Sequence, residues 1–210
     1  MMELIDALDN NFEGYEELRR RLMLAPKWGN DDDYVDSLAV DVANLWLDEA
    51  DKHTCHTDVE NPGPSIPGFH SLTFSENFGE ATAATPDGRK AGERLSDGIA
   101  PSVGTYQGGP TAAFKSAAKL DHARTWTSSL TLTLNESTEI LADLIRTYLI
   151  DMGGTHLHGN LLSLDTLLDA REHPEKYPDL LVRVAGFSAR FIELPENLQE
   201  LVIKRAAIGA

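Results

Sequence analysis

The sequence predicts an α/β fold, because strand-like and helix-like segments alternate along most of its 210 residues. Strict alternation of polar and apolar residues over 127–134 is typical of a strand. Apolar residues at helical spacing predict helices on both sides of it. Proline and glycine clusters separate these segments. The sequence shows no internal repeat that would indicate another architecture.

Two helices are predicted at the start of the chain. Apolar residues that include Leu4, Phe12 and Leu22 predict one amphipathic helix over residues 2–24, which Pro26 ends. After the turn at 25–36, a second helix is predicted to run to about residue 51. Asn30 or a neighbouring aspartate is expected to cap it, since helix N-termini favour such side chains. A calcium loop is the alternative, but the acids lack EF-hand spacing.

The proline-rich segment at 53–70 contains a cluster of side chains that could bind metal. They are His53, Cys55, His56 and Asp58. A structural zinc site needs a second pair of ligands elsewhere, and no second cluster with that spacing follows. An activated thiol at Cys55 is a further alternative, which no other pattern in the sequence supports.

The middle of the chain is predicted to be mostly loop. A strand is predicted over 69–78, followed by a loop at 84–98 with a Pro-Asp-Gly turn. A glycine-rich loop at 104–110 precedes a predicted helix at 111–120. Because the P-loop and dinucleotide-binding fingerprints are absent from the sequence, these glycines do not indicate a nucleotide site.

A helix and a second strand follow the strand at 127–134. The helix is predicted from Asn135 or Ser137 to about residue 152, where two glycines end it. The strand, at 155–162, places His156 and His158 on one face. The pair could bind metal or move protons, and the alternative is a packed, hydrogen-bonded pair.

A glycine within an apolar, strand-like run is the most informative feature of the last third. A helix is predicted over 165–173, then the run Leu-Val-Arg-Val-Ala-Gly-Phe-Ser-Ala-Arg-Phe at 181–191, then a closing helix over 195–208. An isolated glycine such as Gly186 ordinarily marks a bulge or a close backbone approach.

The run at 181–191 also resembles the glycyl-radical loop of the pyruvate formate-lyase family, and glycine suits a backbone radical. The unpaired electron spreads over the adjacent peptide groups when the Cα is flat, and a residue without Cβ tolerates that geometry. Such a centre needs protection from water and oxygen, so a buried tip is expected, with Phe187 and Phe191 as shields. Arg183 and Arg190 are expected to tie the loop to carboxylates or carbonyls. Strand packing and surface charge are the alternative for these four residues.

The composition excludes several classes of function. A net charge of −16 disfavours nonspecific binding to nucleic acid or anionic membranes. No apolar run is long enough for a membrane span, and no signal-peptide pattern begins the chain. One cysteine excludes an internal disulfide framework, so a reducing cytoplasm is expected.

Four segments, in this order, resemble the pyruvate formate-lyase family of glycyl radical enzymes. They are APKWGNDDDY at 25–34, ATPDGRKAGE at 84–93, GPTAA at 109–113 with Lys115-Ser116 and Lys119-Leu120-Asp121, and HPEKY at 173–177 running into RVAGF at 183–187. Each segment alone is a weak match, and the ordered set spans nearly the whole chain. The second segment looks closer to dehydratase-like members than to pyruvate formate-lyase itself.

The resemblance implies a fold, a radical site and partners. The chain would be the C-terminal part of a ten-stranded barrel, with a piece of the barrel domain at 1–80 and the glycine radical domain at 81–210. Gly186 matches the radical position, and the loop residues around it match its support: Arg183, Val184, Ala185, Phe187, Ser188, Arg190 and Phe191. A separate radical-SAM activating enzyme, with S-adenosylmethionine and an iron–sulfur cluster, would install the radical. No organic cofactor or metal is expected on this chain.

The chain departs from the family in length and in its cysteine. A complete member is several times longer, with its catalytic cysteine on a separate loop far upstream. Cys55 lies at the wrong place in the order of segments, so the cysteine is expected on another polypeptide, either an N-terminal half or a full-length enzyme. Alone, the chain is expected to be inactive and to expose strand edges that favour association, a homo-oligomer included.

Three interpretations of the function stay open at this point. The chain could be the radical-bearing subunit of a split enzyme, which the Met1-Met2 start before a well-formed helix favours. It could replace the damaged glycine loop of a full-length enzyme, although the known replacement part is shorter. It could be a non-catalytic remnant that acts at most as a binding module. The substrate stays open too, because acyl lyases, dehydratases, C–N lyases and decarboxylases share the fold.

Overall fold

The chain folds into eight α-helices and four short strands within the residues that the computed structural model describes, which are 1–53, 63, 65–70, 74–102, 104–105, 107–134 and 138–207. The helices are α1 Met2–Asp9, α2 Glu16–Leu24, α3 Asp33–Ala50, α4 Phe74–Glu80, α5 Gly109–Ala118, α6 Thr138–Arg146, α7 Leu164–Glu172 and α8 Glu196–Ala206. The strands are β1 Ser129–Thr133, β2 His156–Asn160, β3 Leu181–Arg183 and β4 Ser188–Arg190. The fold is therefore mixed α/β, as the sequence predicted.

The single helix predicted over 2–24 is wrong, because the chain turns between α1 and α2. Asn11 and Phe12 both adopt positive φ, and Gly14 does so as well. The turn brings Phe12 back under α1, where its amide donates to the carbonyl of Ala7 at 2.7 Å and its ring is buried. Burial of this ring offsets the unfavourable backbone conformation. Phe12 is thus a core residue, but in a turn.

Helix α3 begins at a side-chain cap, as the sequence predicted. A carboxylate oxygen of Asp32 accepts from the amides of Tyr34 at 3.0 Å and Val35 at 3.5 Å. Asn30 has a different role, because its side-chain oxygen accepts from the amides of Gln107 and Gly108 and holds the glycine-rich loop. The cap is therefore the aspartate.

Strands β1 and β2 form a parallel pair, and β1 lies in the interior. Ser129 aligns with His156 and Thr133 with Asn160. All five residues of β1 are buried, so its polar–apolar alternation does not mark a wet and a dry face. The strand predicted over 69–78 is wrong at its far end, because Phe74–Glu80 is helix α4. At the near end, Phe69 forms a parallel bridge to Ser128.

The first hydrophobic core lies between α3, α5, β1 and the π-helical turn Thr147–Asp151 that follows α6. Phe114 and Tyr148 are fully buried in it and stack with ring centroids 4.7 Å apart. Gly98 approaches this core closely. It has φ +57°, and a Cβ there would collide with the carbonyl oxygen of Ser129. The core therefore fixes the 97–100 turn against β1.

The second hydrophobic core joins the C-terminal elements. Helices α7 and α8 pack against the hairpin of β3 and β4, and the side chains of Leu167, Val182, Phe191 and Val202 are almost completely buried there. The helices at 164–172 and 196–206 agree with the sequence prediction. This core supports the segment that contains Gly186.

One face of α3 carries apolar side chains that remain exposed. Val42 is 69% exposed and Leu45 is 72% exposed, and Leu38 and Trp46 lie on the same helix with about half of their surface free. Beside them is an apolar groove of about 340 Å³, lined by residues that include Trp28, Phe69 and Leu120. The surface defined by Leu38, Val42, Leu45 and Trp46 is called the α3 face below.

Candidate active site

Gly186 lies at the tip of the hairpin that β3 and β4 form. The strands pair antiparallel, with Arg183 opposite Ser188. Beyond that pair, the amide of Val184 donates to the carbonyl of Phe187 at 3.1 Å. Ala185 and Gly186 therefore make a two-residue tip. The strand-like arms and the glycine turn agree with the sequence prediction.

The two residues just before the glycine are buried, and the glycine and the two residues after it are exposed. Val184 and Ala185 are at most 1% exposed, whereas Gly186 is exposed and Phe187 is 44% exposed. The expectation of a buried glycine shielded by Phe187 and Phe191 is therefore wrong for this chain. Phe191 is fully buried, but in the second core with α7 and α8. The apolar side chains of the loop support the tip from below and leave its outer side open.

Asn160, at the end of β2, holds the backbone just before the tip. Its side-chain oxygen accepts from the amide of Arg183 at 2.6 Å, and its side-chain nitrogen donates to the carbonyl of Arg183 at 2.7 Å. The side chain is thus a one-residue strand partner for the edge of β3 that faces away from β4. Asn160 is 4% exposed, so these bonds are sheltered from water.

Arg205, in α8, holds the next residue. Its guanidinium donates to the carbonyl of Val184 at 2.6 Å and to a carboxylate oxygen of Asp97 at 2.9 Å. Burial, reinforced by the nearby Arg94 guanidinium, lowers the pKa of Arg205 to about 10, and Asp97 opposes that shift. The group therefore stays cationic at neutral pH.

Arg94 and Glu76 extend this buried charge cluster. Arg94 lies 3.5 Å from Asp97 and 3.7 Å from Glu76, and its burial lowers its pKa. Two arginines thus face two carboxylates. A small cavity of about 40 Å³ opens beside the cluster, lined also by Ser102 and residues of β1. The cluster connects the hairpin to the 97–100 turn and so to the first core.

His156 and His158 lie on the same face of β2, as the sequence predicted, with ring centroids 4.3 Å apart. His158 Nε2 is 3.3 Å from the guanidinium of Arg183. Burial, together with the neighbouring His156 and Arg183, lowers the pKa of His158 to about 4. Burial also lowers the pKa of His156. The packed, hydrogen-bonded arrangement is what the structure contains, and both rings are neutral at pH 7.

The two arginines of the loop have different kinds of partner. Arg190 contacts the carboxylates of Asp179 at 3.3 Å and Glu193 at 3.2 Å, all on the surface. Arg183 instead contacts His158 and, at 3.5 Å, the hydroxyl of Ser188. Among the described contacts, those of Arg190 agree with the expectation of carboxylate partners, and those of Arg183 do not.

The acidic segment at 31–36 binds lysines. Asp31 contacts Lys115 at 2.8 Å, and the fully buried Asp36 accepts from Lys119 at 2.6 Å and from Ser116 at 2.9 Å. The described residues contain no group of three metal-binding side chains. Cys55, His56 and Asp58 lie outside the described residues. No helix among the described residues is long and apolar enough to cross a membrane.

The sequence patterns do not identify Asn160, Arg205 or Asp97 as site residues. A signal existed for two of them. Asn160 is a polar residue inside a predicted strand, and Arg205 lies four residues after Leu201, on the apolar face of the predicted closing helix. A buried polar residue in an apolar pattern needs a partner, and here that partner is the backbone beside Gly186.

Two family models match this chain. The model described as "Glycine radical" matches residues 95–192, which include β1, β2 and the whole glycine hairpin. The model described as "Pyruvate formate lyase-like" matches residues 1–75. The fold, the glycine at a hairpin tip and these two matches together define a class: the chain belongs to the glycyl radical enzyme family and carries its glycine radical domain at 95–192.

Individual relatives agree with this class. The chain is 39% identical to the probable dehydratase YbiW of Escherichia coli (strain K12), over 97% of this chain and 27% of that protein. It is 36% identical to trans-4-hydroxy-L-proline dehydratase of Clostridioides difficile, over 98% of this chain and 26% of that protein. The solved B12-independent glycerol dehydratase from Clostridium butyricum has 40% identity and a TM-score of 0.85, with 97% of this chain and 26% of that chain covered. The chain thus spans about a quarter of the length of these relatives.

Proposed function

We propose that this chain is the radical-bearing C-terminal part of a glycyl radical lyase, with Gly186 as the residue that stores the radical. The observation that carries the proposal is the position of Gly186 at a hairpin tip whose preceding residues are buried and hydrogen-bonded. Its outer side is exposed here, so the proposal includes further polypeptide that shields the tip. A reacting group can approach the α-carbon there, while the backbone that supports it stays in place. The domains proposed are the barrel piece at 1–80 and the radical domain at 81–210.

The chemistry proposed is a relay of hydrogen atoms. An activating enzyme that uses S-adenosylmethionine and an iron–sulfur cluster removes one hydrogen atom from the α-carbon of Gly186. That carbon then takes a hydrogen atom from a cysteine thiol on another polypeptide, which restores the glycine and leaves a thiyl radical. The thiyl radical takes a hydrogen atom from the substrate and starts its cleavage. This chain contributes the radical position and its support, and the ten-stranded barrel would be completed by polypeptide beyond it.

The reaction type proposed is elimination by a dehydratase-like lyase. Relatives named as dehydratases match at 36–39% identity, and isethionate sulfite-lyase of Bilophila wadsworthia matches at 36%. The ATPDGRKAGE segment, which resembles dehydratase-like members, supports the same reaction type. The alternatives are a replacement part for an oxygen-damaged enzyme and a non-catalytic remnant.

Anaerobic radical assembly tests the proposal. The chain is incubated with an activating enzyme, S-adenosylmethionine and a one-electron reductant for the iron–sulfur cluster, and the electron paramagnetic resonance spectrum is recorded. A doublet is expected, because one α-hydrogen remains coupled to the spin, and glycine deuterated at the α-carbon should collapse it to a single line. Gly186→Ala should abolish the signal.

Gly159→Ala is the matched control, because a Cβ there makes only an ordinary contact with Leu134 at 3.5 Å. It should keep the doublet. Absence of any signal with every activating enzyme tried would support the remnant. Restoration of activity to a full-length enzyme cleaved at its own glycine would support the replacement part.

A further inference from the structure

Three of the four backbone polar groups just before the tip are bound by side chains from elsewhere in the chain. Asn160 binds both the amide and the carbonyl of Arg183, and Arg205 binds the carbonyl of Val184. The fourth group, the amide of Val184, donates within the hairpin to Phe187. The arm that leads into Gly186 is therefore held to β2 and to α8 independently of β4.

The arm that leaves Gly186 has a different environment. Ser188 and Arg190 are exposed, and Arg190 reaches only surface carboxylates among its described contacts. Water competes with such exposed contacts, so they restrain the backbone weakly. Apart from its pairing with β3, the arm after the glycine is therefore held by weaker side-chain contacts than the arm before it.

We propose that Asn160 and Arg205 are positioning residues that fix the α-carbon of Gly186 by anchoring the two residues before Ala185. Neither side chain touches Gly186 in a described contact, and both act through the backbone. This inference rests on the proposed function for its purpose, since a stored radical must sit at one distance from the thiol that it oxidises. The anchoring itself can be measured without any radical.

The geometry makes both residues hard to replace. Asn160 presents an acceptor and a donor side by side, which an amide does and a carboxylate does not. Arg205 joins Val184 to Asp97 through one guanidinium, so the tip is tied to the 97–100 turn as well as to α8. A lysine has one ammonium in place of the planar fork and cannot reproduce that bridge in the same geometry.

Hydrogen–deuterium exchange of the whole chain is the first test. Asn160→Ala should speed exchange at residues 183–187 by about tenfold, because the Arg183 amide loses its acceptor and the arm loosens. Arg205→Lys should speed exchange at 184–187 by a smaller factor. Exchange at β1 should stay within about twofold of the wild type, which shows that the fold is retained.

Gln199→Ala is the matched control. The Gln199 side chain donates to the carbonyls of Phe191 and Leu194, both at 3.1 Å, so it too is an amide that binds two backbone groups, but beyond the far end of β4. Its removal should leave exchange at 183–187 unchanged. Equal acceleration at 183–187 in Gln199→Ala, or an unchanged rate in Asn160→Ala, would overturn the proposal. If Asn160→Ala does not fold, the Arg205→Lys comparison with Gln199→Ala decides on the same criterion.

The spectrum of the assembled radical is the second test. Asn160→Ala should change the doublet splitting or shorten the lifetime of the radical by about tenfold, whereas Gln199→Ala should change neither. A wild-type chain that forms no radical would contradict the proposed function while the exchange result still decides the anchoring. A radical with the same splitting and lifetime in Asn160→Ala would contradict the positioning role.

Discussion

The glycine hairpin and helix α3 differ in how far this chain covers their apolar side chains. Around the hairpin, Val182, Val184, Phe191 and Val202 are at most 1% exposed, in a core formed mainly by the elements from α7 to α8. On α3, Ala43 packs in the first core and Leu47 is buried, while the α3 face remains open beside a groove of about 340 Å³. The apolar side chains around the hairpin are buried by this chain itself, whereas those of the α3 face are not.

This difference indicates which region depends on further polypeptide. Apolar surface that is already buried contributes to stability within this chain, whereas exposed apolar surface does so only when something covers it. The chain spans about a quarter of its relatives, so a cover for α3 in a longer assembly is consistent with that length. The second hydrophobic core, which includes the hairpin, is therefore expected to be the more stable region. The α3 face is expected to be the region that associates with other polypeptide.

The largest loss of stability is expected from Phe191→Ala in the second hydrophobic core. Removal of this fully buried ring should lower the free energy of unfolding by about 3–5 kcal/mol, because the cavity left behind cannot collapse completely. Urea denaturation followed by circular dichroism measures it. A loss below about 1 kcal/mol would mean that the hairpin core is not the better-packed region.

The next effect tests how firmly the inner side of α3 is held. Partial burial lowers the pKa of Lys119, but hydrogen bonds to Asp33 and Asp36 outweigh it and raise the pKa overall. Lys119→Ala should cost about 3 kcal/mol, because the buried Asp36 carboxylate loses its cation. Lys115→Ala, which removes a more exposed ion pair with Asp31, should cost less than about 1 kcal/mol. Equal losses would show that burial of Asp36 is not what matters.

A pH dependence is expected in the hairpin region. The pKa of His158 falls from 6.5 to about 4 on folding, so between these pH values the unfolded chain binds a proton that the folded chain does not. Acidification from pH 7 to pH 5 should therefore destabilise the wild type by about 2 kcal/mol through this group. The free energy of unfolding is measured by urea denaturation at each pH. His158→Gln should remove this part of its pH dependence, whereas the control His173→Gln, at an exposed position, should not. The same pH dependence in all three proteins would contradict the role of His158.

The smallest effect on stability is expected at the α3 face. Val42→Gln with Leu45→Gln should change the free energy of unfolding by less than about 1 kcal/mol, since both side chains are largely exposed. The same variant should reduce concentration-dependent self-association of the chain in sedimentation velocity. If the wild type stays monomeric at high concentration and the variant behaves identically, the α3 face does not mediate self-association.

The sequence predicted the parts of the fold that depend on local patterns. Helices α7 and α8, strand β2 and the glycine hairpin follow from periodicity and from glycine and proline punctuation. The break after α1 was missed because it depends on Phe12 packing against the distant Ala84 as well as against Ala7. The strand at β1 was predicted, but its complete burial depends on other segments of the chain. A pattern within one segment does not contain that information.

The site was predictable to a similar extent. Gly186 was predicted as the radical position because the surrounding loop resembles that of a known family. The exposure of Gly186 was not predicted, because burial of the tip depends on polypeptide outside this chain. The anchors Asn160 and Arg205 were missed because their hydrogen bonds span 23 and 21 residues of chain. In the sequence, a side chain that binds a distant backbone group is visible only as a polar residue at a position where the pattern predicts an apolar one.

The hydrogen bonds that Arg205 makes across the tip have a consequence for damage. Under the proposed function, oxygen that attacks the radical would break the main chain at Gly186, between the two arms of the hairpin. The severed stretch would carry β4 and α8, yet Val202 remains in the second core and Arg205 still binds Asp97 and Val184 across the cut. A nicked molecule should therefore migrate as one species on a native gel and separate into two bands only in detergent.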